Sequence, residues 1–231
     1  MYQLHIGNKN YSSWSMRPWI LMRAINLPFN EHLHLFAGSA NLTAFKDFSP
    51  TAKVPCLHDD NLVIWDSLAI AEYLAEQHAE VWPRDVHARA WARCASAEMH
   101  SGFPALRNEC SMSIGVRIRL HAQSAALQAD LHRMDALWTD GLQRFGGPWL
   151  AGASFTAVDA FFAPVAMRIQ TYGLSLPSQT GMAYASRLQS HPAVLEWQAA
   201  ALLETARDAA HEDDIMACGV VLQDLRAPSA G

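Results

Sequence analysis

The first part of the chain switches repeatedly between two hydrophobic periods. Tyr2-Gln3-Leu4-His5-Ile6 alternates apolar and polar positions, the period of a strand. Residues 19–27 (WILMRAINL) read as a helix, and Pro28 follows as its stop. Alternation returns over Glu31–Phe36. Val54–His58, a turn at Asp59-Asp60-Asn61 and Leu62–Trp65 together read as a hairpin. Residues 67–78 carry Leu68, Ala71 and Leu74 at helical spacing. The predicted order is β-α-β-(short α)-β-β-α. A leading βαβ unit implies a parallel pair, and the hairpin adds an antiparallel edge.

Beyond residue 86 the pattern predicts helices only. Residues 86–110 and 121–145 are long, Ala-rich and helical in period, and Gly146-Gly147-Pro148 ends the second. In residues 156–172, Val158, Phe161, Phe162, Val165, Ile169 and Tyr172 fall on one stripe. Thr156 and Asp159 have the spacing of a capping box at its start. Ser190-His191-Pro192 opens a further helix, because proline is tolerated in a first turn. Residues 216–231 are expected to fray. The division is 1–78 for an α/β domain, 79–87 for a linker containing Pro83, and 88–231 for an all-helical domain. No internal repeat or low-complexity tract is visible.

Composition narrows the class. At 51% hydrophobic and 10% aromatic, the chain is too apolar for a disordered protein. Asp and Glu outnumber Lys and Arg by 22 to 17, which gives a net charge of −5 and no basic excess for a nucleic acid. No apolar run reaches the roughly 18 residues of a membrane span. Cys56, Cys94, Cys110 and Cys218 form no C-x-x-C and no regular framework, so they read as buried free thiols in a reducing compartment. The N-terminus lacks a charged region followed by an apolar one, so the expected location is cytoplasmic. His32 and His34 share a strand face, but a metal site needs more ligands than two; no metal is expected.

Three segments of the α/β half could carry chemistry. Asn10-Tyr11-Ser12-Ser13-Trp14-Ser15-Met16-Arg17-Pro18 sits between the first strand and the first helix. Proline is comfortable only near a helix start, which places that start near Ser13–Ser15. A helix N-terminus favours an anion, and a serine hydroxyl there can donate to a thiolate. One of the three serines is accounted for simply as an N-cap. Lys53-Val54-Pro55 is the second segment. Proline at a strand start leaves that edge free to pair with an extended peptide. X–Pro bonds are trans in general, so local physics alone predicts trans here. Asp66-Ser67 is the third. It offers a carboxylate, a hydroxyl and a helix-terminal N–H, suited to an α-amino acid head group or to plain helix capping.

These segments together resemble the cytosolic glutathione S-transferases over nearly the whole length, to about residue 210. Ser12–Arg17 is similar to the serine-rich loop of the zeta class. Val54-Pro55 resembles the family's cis-proline turn. Asp66–Leu74 resembles its E-S-x-A-I-x-x-Y-L signature with Asp in place of Glu. Gly152–Asp159 resembles the glycine and capping box of the helical domain. The resemblance implies a thioredoxin-like domain followed by an all-helical one, a homodimer, and glutathione as co-substrate. It also implies a cis Val54–Pro55 bond. By carry-over, Ser12 occupies the catalytic position, with Ser13 one residue of register away. Lys53, Val54, Pro55, Asp66 and Ser67 would hold glutathione. Trp14 stands where zeta enzymes carry a cysteine, and the class is unassigned. Trp14 either caps the electrophile pocket or packs against the second domain.

A second-substrate pocket is expected where helix 86–110 faces the loop, with Met99, Phe103, Arg107 and Met112 as its candidates. Apolar, adaptable side chains suit an apolar electrophile, and Arg107 suits a carboxylate; core packing and a surface ion pair are the bland alternatives. The expected activity is thiolate transfer to an electrophile (a glutathione S-transferase-type enzyme). Glutathione-dependent peroxidase or isomerase chemistry would share the same site. A non-catalytic binding module would keep the architecture without turnover.

Overall fold

The computed structural model describes residues 1–38 and 41–229, excluding the side chains of 41 and 42. Strand β1 (Tyr2–Gly7) pairs in parallel with β2 (Phe29–His34). Helix α1 (Ser13–Ala24) crosses between them. Strand β1 also pairs antiparallel with β3 (Cys56–Asp59), which forms the hairpin with β4 (Leu62–Trp65). The sheet order is β2-β1-β3-β4. The second strand begins and ends two residues earlier than the alternation of 31–36 suggests.

Alternation along β1 gives the sheet two chemically different faces. Leu4 and Ile6 are fully buried toward α1 and α3 (Ser67–Ala75). Gln3 and His5 point to the opposite face. There His5, His32, His34 and His58 stack with one another and with Phe48. Phe45 and Phe48 follow the short helix α2 (Asn41–Ala44) and close a small apolar cluster over Cys56.

The second half is built on α4 (Val86–Ser101), α5 (Pro104–Glu109), α6 (Ala125–Phe145), α7 (Ala157–Tyr172), α8 (Gln179–Gln189), α9 (Pro192–Leu203) and α10 (Ala209–Cys218). Helix α7 is the central post, buried along almost its whole length. It packs on α1, α4 and α8. The capping box at its start is formed. Asp159 accepts from the Thr156 and Leu150 amides and from the Tyr184 hydroxyl. Because α1 lies between the sheet and α7, nearly all its residues are buried, including Arg17 and Trp19.

Three differences from the sequence reading follow from tertiary packing. The 86–110 helix breaks at Gly102-Phe103, where Phe103 adopts φ 59° and Pro104 restarts the chain as α5. A proline disfavours helical geometry in the residue before it. Pro18 sits in the second turn of α1 rather than the first, so the Trp14 carbonyl receives no amide from it. The tail expected to fray instead forms β6 (Gly219–Asp224), paired antiparallel with β5 (Val116–Leu120). The helical half therefore also carries a two-stranded ribbon. Val116 and Ile118 are buried beneath it, which anchors the pair.

Candidate active site

Ser12 is the N-cap of α1, and its hydroxyl is committed to that task. Its Oγ accepts from the Ser15 amide at 3.3 Å and donates to Ser15 Oγ at 2.7 Å. Ser15 Oγ in turn accepts from the Gly7 amide at 3.1 Å. Both of these serines thus tie the helix start to the end of β1. Ser13 is the first helical residue, is buried, and has no side-chain hydrogen-bond partner among the described residues. Of the two serines singled out, Ser13 keeps its donor free.

Beside this helix start lies a cleft of about 460 Å³. Its walls are Trp14, Thr51, Lys53, Val54, Pro55, Trp65, Asp66 and Ser67. All five residues expected to hold glutathione are brought together there, along with Trp14. Ser12 and Ser13 themselves are not on its wall. The Val54–Pro55 peptide is cis, as the family resemblance implies and local physics does not. Thr51 and Trp65 were not singled out by the sequence; adjacency to the cis-proline turn and to Asp66 was the available signal.

Asp66 is engaged on both oxygens. Oδ1 caps α3, accepting from the Leu68 amide at 2.8 Å and the Ala69 amide at 3.4 Å. Oδ2 lies 3.2 Å from His100 Nε2. A carboxylate has more acceptor sites than these contacts use, so an ammonium can still be received. Burial pushes the His100 pKa down, Asp66 opposes this, and Arg17 and Arg107 reinforce it. His100 Nδ1 is buried without a hydrogen-bond partner among the described residues. Nothing in the sequence pairs His100 with Asp66; the packing of α4 against α3 does.

Ser67 is buried at the start of α3, and its Oγ accepts from Arg17 Nη1 at 3.5 Å. As an acceptor from Arg17 it retains its own proton for a ligand. Arg17 stands four residues after Ser13, on the same face of α1. That spacing was the signal that would have marked it. Its guanidinium lies over Trp14 at 4.2 Å and over Phe161 at 4.9 Å. Burial lowers its pKa well below the ordinary arginine value, Arg107 and Arg168 add to this, and Asp66 opposes it. Its Nε has no hydrogen-bond partner among the described residues.

The four residues expected to form a second-substrate pocket separate. Met99, Phe103 and Met112 are buried in the main core, and none of them lines the cleft beside the serine loop. Met99 is core because it continues the buried stripe of α4 set by Ala88, Ala92 and Ala95, and Phe103 is buried at the break itself. Arg107 reaches the site by stacking on Trp14 at 4.7 Å, while its Nε donates to the Gly102 carbonyl at 3.0 Å. Its Nη2 donates to the Met99 carbonyl. The arginine therefore caps the broken end of α4 and steadies Trp14, which also meets His100 edge-on at 5.1 Å. Among the described residues no group of three or more His, Cys, Asp or Glu side chains is arranged to hold a metal ion, the stacked histidines around His5 included.

Residues 11–77 match the family description "Glutathione S-transferase, N-terminal domain", and residues 121–200 match "Glutathione S-transferase, C-terminal domain". A probable maleylacetoacetate isomerase of Caenorhabditis elegans is 36% identical over 98 residues, covering 42% of this chain and 45% of that protein. Glutathione S-transferase F13 of Arabidopsis thaliana is 27% identical over 143 residues, covering 57% and 64%. The chain thus spans less than two thirds of either relative. The fold is shared with a glutathione transferase homolog from Burkholderia solved with bound glutathione. Its TM-score is 0.65 at 23% identity, over 87% of this chain and 97% of that one. With both domains matched in chain order on either side of the linker, the chain belongs to the glutathione S-transferase family.

Proposed function

We propose that this protein binds glutathione in the cleft between Trp14 and Lys53–Ser67 and activates its thiol with the Ser13 hydroxyl. The observation that carries the reading is the free Ser13 donor at the N-terminus of α1, next in the chain to a cleft wall of Trp14. The helix dipole and the donor together favour a thiolate over a thiol. The Val54 backbone beside cis Pro55 would pair with the cysteinyl unit. Ser67, polarised by Arg17, would donate to the γ-glutamyl carboxylate, and Asp66 would receive its ammonium. Lys53, exposed at the cleft mouth, suits the glycine carboxylate.

The thiolate would then attack a small electrophile held over Trp14 and Arg107. Catalysis in this reading is positioning plus anion stabilisation, with no covalent bond to the serine. Isomerisation is the second reading, supported by the relative named as a maleylacetoacetate isomerase. The same thiolate would add to a conjugated double bond and leave after rotation. A homodimer is supported by the exposed Val63 and Trp65, which line an apolar groove on β4 and α3 with Ile64 and Leu68. The four cysteines are free, which supports a reducing, cytoplasmic location; only Cys56 and Cys110 are buried as expected, while Cys94 is exposed and Cys218 half-buried.

The test compares Ser13→Ala with Ser12→Ala in conjugation of glutathione to an aryl halide. Ser13→Ala should lower kcat by about tenfold or more while glutathione affinity changes by less than about twofold. Ser12→Ala should keep most activity and cost about 1 kcal/mol of stability, as loss of an N-cap does. The reverse pattern assigns the sulfur contact to Ser12. Two active alanine variants would exclude serine assistance.

A further inference from the structure

The loop that delivers the serine pair is anchored from the far end of the chain. Glu204 accepts from the Lys9 amide at 2.6 Å and the Asn10 amide at 3.1 Å. Asn10 Nδ2 donates to the Ala201 carbonyl at 2.6 Å. Trp197 Nε1 donates to the Lys9 carbonyl at 2.9 Å. Tyr11, immediately before Ser12, donates its hydroxyl proton to Glu212 at 2.6 Å and is 3% exposed.

Arg226 completes this arrangement. It reaches Glu212 through both terminal nitrogens at 2.5 and 3.0 Å, and its Nη1 lies 3.3 Å from the Tyr11 hydroxyl. Its Nε and Nη2 hold Asp224 at 2.9 and 2.7 Å. The side chain is only 5% exposed. Gly115 makes the room: a Cβ there would stand 2.1 Å from Arg226 Cγ. The Gly115 amide also donates to Asn10 Oδ1 at 3.2 Å, and the Leu225 amide donates to the Gly115 carbonyl at 2.8 Å. One glycine therefore admits the arginine and binds both the serine loop and the tail. Residues 201–227 lie outside both family matches.

We propose that Arg226 is a positioning residue for the candidate catalytic loop. Acting through Glu212 and Tyr11, it fixes the loop and hence the Ser13 hydroxyl relative to the cleft. Two-pronged, charge-assisted bonds give such a contact its directionality. Without the guanidinium, Glu212 and the Tyr11 hydroxyl lose the charge that orients them. The walls Lys53–Ser67 sit on other elements, and among the described residues no hydrogen bond or ion pair joins them to Tyr11, Glu212 or Arg226, so glutathione affinity and turnover separate. The proposal rests on the serine-thiolate reading for its activity arm and on geometry alone for its exchange arm.

The experiment uses the full chain with Arg226→Ala, Arg226→Lys and Glu212→Gln. Steady-state kinetics with glutathione and an aryl halide is combined with amide hydrogen exchange over residues 8–16. Arg226→Ala should lower kcat by about tenfold and leave the glutathione KM within about threefold. Exchange at Asn10–Ser13 should accelerate by about tenfold, while β1 and β3 keep their protection. Arg226→Lys should recover kcat to within about threefold of wild type, and Glu212→Gln should fall between the two. A kcat for Arg226→Ala within about twofold of wild type, with loop exchange unchanged, overturns the proposal. So does a loss of protection across the whole α/β domain, since the arginine would then only stabilise the fold. If the wild type turns over no electrophile, the serine reading fails, and the loop exchange alone decides on the clamp.

Discussion

Acid should destabilise this protein through His5, and the size of the effect follows from its surroundings. His5 stacks on His32 at 4.7 Å, on His34 at 5.1 Å and on Phe48 at 4.6 Å, and His58 tilts against it at 4.6 Å. Its Nδ1 shares a proton with His34 Nε2 at 2.9 Å. Burial first, then repulsion from His58, His32 and His34, lowers its pKa to about 4. The unfolded chain takes up this proton near pH 6.5, while the folded protein resists it until about pH 4. Below pH 6.5 the unfolded state therefore binds more protons, and stability falls as pH drops through that window.

A displacement of that size has a ceiling of about 3.4 kcal/mol. The ring is only half-buried, so screening by water reduces the expected loss to about 1.5 kcal/mol between pH 7 and 4.5. His34, also lowered by burial and His32, adds in the same direction. The assay is urea unfolding of wild type and His5→Phe at a series of pH values. Phenylalanine keeps the stack against Phe48 and removes the titrating group. The stability difference between the two proteins should change by about 1.5 kcal/mol across the window, in favour of the variant at low pH. A difference that stays flat with pH would refute the argument, whatever the absolute stabilities.

Other outcomes follow from single contacts. Asp159→Ala should cost about 3–5 kcal/mol in urea unfolding, because the Leu150 and Thr156 amides and the Tyr184 hydroxyl lose a fully buried acceptor. A loss below about 1 kcal/mol would show that water replaces the carboxylate. Trp65→Glu places a charge in the apolar groove with Val63, Ile64 and Leu68. In sedimentation velocity it should convert a pair of 25.5 kDa chains into single ones. A wild type that already sediments as one chain removes the dimer reading.

Much of the fold was written locally. The alternation of β1, the Asp59–Asn61 turn and the Thr156–Asp159 capping box need only neighbouring residues, and each appears in the structure as its spacing predicts. The segments around Ser12, Val54 and Asp66 were also legible, because helix starts and strand-opening prolines restrict the backbone within a few residues. What the sequence could not decide is which atoms are left over once the chain packs. Ser12 and Ser13 look equivalent in the chain; the bond that Ser12 donates to Ser15 commits its proton, while that of Ser13 stays free. Met99 looks available for a ligand until the core-facing stripe of α4 takes it up, and Phe103 until the Gly102–Pro104 break buries it. His100, Arg226 and Glu212 lie about ninety to two hundred residues from the loop they serve, beyond the range of any local periodicity. Their pairings are set by burial: a charge or donor taken out of water must find a partner wherever the fold supplies one, and only the tertiary structure says where that is.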